Sequence, residues 1–94
     1  MKYALELYVA QAGTDGVPDA AKRASREAHR LSLEGTVVRF IRSIFLPGDE
    51  TCFLVLESAS RAAIEETARR AEIRFERIVE IEIEPEGVEW SEIH

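Results

Sequence analysis

The run VVRFIRSIFLPGDETCFLVLE, residues 37–57, constrains the fold of this chain more than any other stretch. Both halves are dense in Val, Ile, Leu and Phe, side chains that suit a pleated, half-buried surface. Between them stands Pro47-Gly48-Asp49. Pro presets φ and Gly tolerates positive φ, so the run reads as two strands joined by a short turn. With a loop from Pro47 to Glu50, Leu46 stands opposite Thr51. Ile44 then faces Phe53, Arg42 faces Val55 and Phe40 faces Glu57. Side chains alternate along a strand. One face of the hairpin therefore receives Phe40, Arg42, Ile44, Phe53, Val55 and Glu57. The other receives Arg39, Ile41, Ser43, Phe45, Cys52, Leu54 and Leu56, and is the expected core face. A slip of one residue would exchange the faces of one strand relative to the other.

The flanking segments supply the other elements. Lys2 to Val9 alternates, with Tyr3, Leu5, Leu7 and Val9 on one side and Lys2, Ala4, Glu6 and Tyr8 on the other. That is a half-buried strand. The two glycines and the Asp between Gln11 and Val17 read as a loop. Pro18 and Asp19 open a helix, Pro in the first turn and Asp at the positive end of the dipole. Ala20, Ala24, Ala28 and Leu31 form its apolar stripe, and Gly35 supplies the stop. Ser60 is the expected N-cap of a second helix with Ile64, Ala68 and Ala71 buried. Arg77 to Glu84 is the last strand, with Val79, Ile81 and Ile83 expected inward and Ile78, Glu80, Glu82 and Glu84 outward. Pro85 ends it.

Strand, helix, strand, strand, helix, strand is the split βαβ plan of the ferredoxin-like α+β fold. Right-handed crossovers place both helices on one face of a four-stranded antiparallel sheet. The expected strand order is fourth, first, third, second. The 94 residues read as a single domain, 1–94, with 86–94 as a C-terminal tail that carries Trp90 and Ile93.

Charge narrows the partners. The formal net charge is −6. An acidic chain with no basic face is a poor ligand for nucleic acid or an anionic membrane. An RNA-recognition reading shares the element order, yet the basic aromatic signature it needs is missing. No apolar run approaches the length of a membrane span, so a cytoplasmic protein is expected. The single cysteine, Cys52, excludes an internal disulfide and falls on the expected core face. His29 and His94 have no metal-ligand spacing, and no phosphate loop, HExxH or GxSxG is present.

The expected uncovered face collects Glu6, Tyr8, Arg42, Glu57, Glu80 and Glu82 around Phe40, Phe53 and Val55. A guanidinium beside carboxylates on an apolar floor can orient a small polar ligand. The candidate ligand-binding residues are thus Glu6, Tyr8, Phe40, Arg42, Phe53 and Glu57. The structural alternative is an Arg42–Glu57 pair across neighbouring strands. No catalytic residue is assigned.

The run from Val37 to Ile83 resembles a family of small bacterial proteins of largely unknown function, described as nickel-binding-protein-like. The likeness rests on Arg42-Ser43-Ile44, Glu50-Thr51-Cys52-Phe53, Glu57-Ser58-Ala59-Ser60 and Ala68-Arg69-Arg70-Ala71. It covers about half the chain. It implies a ferredoxin-like fold paired into a dimeric α+β barrel, with nickel as the cofactor of its metal-type members. Those members carry His where Arg42 and Thr67 stand here. Arg stays protonated and is not an ordinary metal ligand. The expectation is therefore no cofactor and no tight nickel or zinc site.

Three functions follow as expectations. The first is a small-ligand-binding domain that uses the open sheet face around Arg42 and Glu57. The second is a dimeric α+β barrel enzyme of oxygenase or isomerase type, with Glu6, Tyr8 or Glu57 handling protons. The third is a dimerisation module. All three place a homodimer contact on the open face, because two helices cover only one side of the sheet.

Overall fold

The structure, a computed structural model, describes residues 1–10 and 16–82. The elements run β1 (Lys2–Tyr8), α1 (Gly16–Leu33), β2 (Val38–Leu46), β3 (Thr51–Ser58), α2 (Arg61–Arg70) and β4 (Arg77–Ile81). The sheet has the order β2-β3-β1-β4, every neighbour antiparallel. This is the ferredoxin-like α+β arrangement that the element order predicts. Tail residues Trp90 and Ile93, and the strand positions Ile83 and Glu84, lie outside the described residues.

Local chemistry explains each boundary. A single 3₁₀ turn, Pro47–Asp49, closes the hairpin, and Glu50 completes the reversal at φ 49°. Gly35 ends α1 at φ +103°, where a Cβ would be strained. The Thr36 amide donates to the Leu31 carbonyl at 2.9 Å, which satisfies one of the carbonyls that a helix end leaves over. Ser60 caps α2, its hydroxyl accepting from the Ala63 amide at 3.2 Å. The Ser32 hydroxyl pairs with both the amide and the carbonyl of Val38 and so ties α1 to the first residue of β2.

The core lies between the sheet and the helices. Tyr3, Leu5, Leu7, Val38, Cys52, Leu54, Leu56 and Ile78 point into it from the strands. Ala24, Ala28, Leu31, Ile64 and Ala68 meet them from the helices. Small residues on α1 let the helix approach the sheet closely. Two polar clamps fasten the helices to each other. The Arg23 guanidinium donates to the Ala71 carbonyl at 2.8 Å, and Arg70 bridges Glu34 and Glu66.

Two features depart from simple alternation. The hairpin register holds from Leu46↔Thr51 to Arg42↔Val55, as expected, but a β-bulge at Ile41 then shifts the ladder. Phe40 comes to face Leu56 and packs against the core, while Arg39 comes to face Glu57. The extra residue absorbs one step of the pleat, so an apolar Phe goes inward and a charged Arg outward. In β4 the phase is opposite to the expected one. Ile78 faces Leu5 and is 7% exposed, whereas Val79 and Ile81 lie on the open face. The adjacent Ile78 and Val79 suit either phase, and the outer position of β4 leaves Glu80 exposed on the helix side of the sheet.

Candidate functional site

The uncovered face is built from four cross-strand rows. The first reads Arg39, Glu57, Lys2 and Ile81 from β2 to β4; the second reads Arg42, Val55, Ala4 and Val79. The third reads Ile44, Phe53, Glu6 and Arg77, and the fourth Leu46, Thr51 and Tyr8. Ala4 is the smallest side chain of its row. With Phe53, Val55, Val79 and Ile81 standing around it, its methyl becomes the floor of a hollow of about 370 Å³. Val55 is only 1% exposed, although among the described residues no helix covers this side. Ile44 and Tyr8, at 43% and 64%, stand open to solvent.

Arg77 lines the hollow, and other charges of the open face pair within their rows. Arg39 donates to Glu57 from Nη2 at 2.8 Å and from Nε at 3.1 Å, and Lys2 lies 3.3 Å from the same carboxylate. The Arg39 hydrogen bond, with Lys2 behind it, holds the Glu57 carboxyl below the usual carboxylate range. A general base working near neutral pH needs the opposite shift. In the third row Arg77 reaches Glu6 at 3.1 Å. Arg42, at the β2 end of the hollow's own row, has no hydrogen bond or ion pair among the described residues.

The expected site is thus partly assembled. Arg42, Phe53, Glu6 and Tyr8 share the open face with Glu57, as read from the sequence. Phe40 does not; the bulge turns it into the core. The expected Arg42–Glu57 pair is replaced by Arg39–Glu57. Glu6 and Tyr8 oppose Phe53 and Thr51, so they lie toward the hairpin end of the face and away from Glu57. Glu80 faces Tyr3 on the helix side, and Glu82 falls beyond the end of β4. The residues that sequence reasoning missed are Ala4, Val79 and Arg77. The signal for Ala4 was present: one small residue in an otherwise bulky alternating strand.

The positions relevant to metal binding do not converge. Arg42 is on the open face. Thr67 is 0% exposed on α2, its hydroxyl donating to the Ala63 carbonyl at 2.8 Å. The sheet stands between them, so ligands at these two positions would not meet on one ion within this chain. Among the described residues no three His, Cys, Asp or Glu side chains gather as a metal set. Burial pushes the Cys52 thiol up, away from the thiolate that a metal or an electrophile requires. Within one chain's described residues these side chains assemble no nickel ligand set.

Order, topology and register define a ferredoxin-like α+β domain with one hollowed sheet face that no described helix covers. The same fold occurs in the crystal structure of SCO4226 from Streptomyces coelicolor A3(2), with a TM-score of 0.68 and 15% sequence identity. The match covers 90% of this chain and 100% of that one. No protein-family model matches the sequence, and no curated protein matches it. At that identity the likeness speaks to fold alone. No helix among the described residues is long and apolar enough to cross a membrane.

Proposed function

We propose that this chain is a small-ligand-binding module that works as a homodimer, its two open sheet faces closed over a shared pocket. The observation that carries the proposal is the hollow above Ala4, apolar in its lining except for Arg77, with paired charges in the adjoining rows of the face. Small-molecule sites have this composition: an apolar body with a few placed polar groups, and volumes from about 300 Å³ upward. A face with Tyr8, Ile44 and Leu46 exposed beside half-buried Phe53, Val79 and Ile81 also favours a cover, because soluble monomers seldom leave such patches open. A two-fold partner offers the same surface with both charge signs on it. A reducing cytoplasm suits the single, buried Cys52.

The proposal includes no metal and no catalytic base. The depressed Glu57 and the separation of Arg42 from Thr67 weigh against the barrel-enzyme and nickel readings. The test is mass. Light scattering coupled to size exclusion should give twice the chain mass at micromolar concentration. Phe53→Glu, in the middle of the face, should shift the protein to monomer or to insoluble material. A wild-type monomer at that concentration overturns the closed-pocket proposal.

A further inference from the structure

We infer that the hollow over Ala4 takes an apolar monoanion, one carboxylate on a flat hydrocarbon body, anchored by Arg42. The inference rests on the ligand-binding reading above and names its ligand class.

The charges of the face decide the sign of the ligand. Among the described residues the face carries two carboxylates, Glu57 and Glu6. Glu57 is taken by Arg39 and Lys2, and Glu6 by Arg77. Neither is left to receive a cation. Arg42 alone is an uncommitted charge, so an anion can bind without breaking an existing pair, and a cationic ligand cannot. The guanidinium presents a planar fork of donors, which matches a carboxylate in two parallel hydrogen bonds.

The floor decides the rest of the molecule. Ala4, Val55, Val79 and Phe53 offer no hydrogen bonds from their side chains. Polar atoms placed on that floor would lose water and gain nothing from it, and Arg77, which also lines the hollow, is already held by Glu6. A sugar or a free phosphate is therefore a poor occupant, and a hydrocarbon ring system a good one. Geometry sets the size. Ala4 and Arg42 stand in one row two strands apart, roughly 10 Å between backbones, with Val55 between them. An arginine side chain leaning along the row brings its fork within one or two fused rings of the hollow.

Two model compounds isolate the charge. 2-Naphthoate and 2-naphthamide have nearly the same shape and differ in ionisation. Amide chemical shifts of the full-length, isotope-labelled protein should follow both in a titration at low salt, where exposed charges are least screened. Naphthoate should bind about tenfold more tightly or better, the scale of a charge-assisted hydrogen bond, with the largest shifts at Arg42, Val55 and Phe53. Arg42→Met should remove the preference, and Arg42→Lys should restore part of it. Arg39→Met should leave it unchanged. Ala4→Leu, which fills the hollow and touches no charge, should weaken both compounds. Equal affinity for the two compounds, or a preference that survives Arg42→Met, overturns the inference. So does a failure of both to bind. A protein of twice the chain mass that binds both compounds equally keeps the dimeric pocket and loses the anion. A monomer that still prefers naphthoate does the reverse.

Discussion

Glu66 holds two guanidiniums at once. Arg69 donates to it at 2.7 and 2.8 Å, and Arg70 at 2.8 Å while also gripping Glu34. The Arg69 hydrogen bonds, then those of Arg70, bring the Glu66 carboxyl down from 4.5 to about 2. Its folded value lies below its unfolded one, so the stabilisation is complete above pH 4.5. It is lost as the pH falls toward 2, because the unfolded chain then binds the proton more readily. The pairs are solvent-exposed and salt weakens them, so the effect is modest. Urea midpoints should decline over that window, and Glu66→Gln should flatten the decline. Equal slopes in the two proteins would remove Glu66 from the clamp. The sequence pairs both Glu65 and Glu66 with residues four positions on. The structure forms Glu66–Arg70 at that spacing, but gives Glu65 to Arg61 and puts Arg69 on Glu66 as well. Spacing says which side chains can meet on a helix, but not which rotamer wins. Arg42 was legible, because the turn fixes the register beside it. The partner of Glu57 was not, because it sits beyond the bulge.

The bulge in β2 is the element that distributes the faces. Phe40 and Arg42 are two apart in sequence, yet one faces the core and the other the open face. Regular alternation would have put both on one side. Ile41 is the extra residue between them, so its removal should leave a regular ladder with Phe40 still inward and Arg42 still outward. A chain lacking Ile41 is expected to stay folded and to lose no more than about 2 kcal/mol in a urea melt. Had the ladder been regular from the start, the same deletion would invert Phe40 and Arg39 and largely unfold the protein. The four strands, two helices and their order could be read from periodicity and turn chemistry. The bulge could not, because Phe40, Ile41, Ile44 and Phe45 suit either face and no glycine marks the site. The phase of β4 was hidden for a related reason. An outer strand lets Glu80 reach water from the helix side, so acidic residues there do not reveal which way the strand faces.

At the scale of the molecule, the sheet is a partition. One side is filled by helices and the other holds the hollow. Arg42 and Thr67 lie on different sides of it, and calorimetry of tag-free protein should show no stoichiometric binding of nickel or zinc at micromolar metal. A clean one-site titration that disappears on changing open-face residues would reverse that expectation. The same partition has a temporal side, which follows from the position of β1. Its neighbours are β3 and β4, so Lys2 pairs with Glu57 on one flank and with Ile81 on the other. Synthesised before both neighbours, β1 can find neither until β2 and the segment through β3 have followed it. Until then its apolar edge is unpaired on both sides, and closing the sheet requires contacts between residues distant in sequence. Such topologies fold in the slower part of the small-domain range and expose strand edges on the way. The strand that carries the floor of the hollow is therefore made before both its neighbours and is among the last to be sealed in.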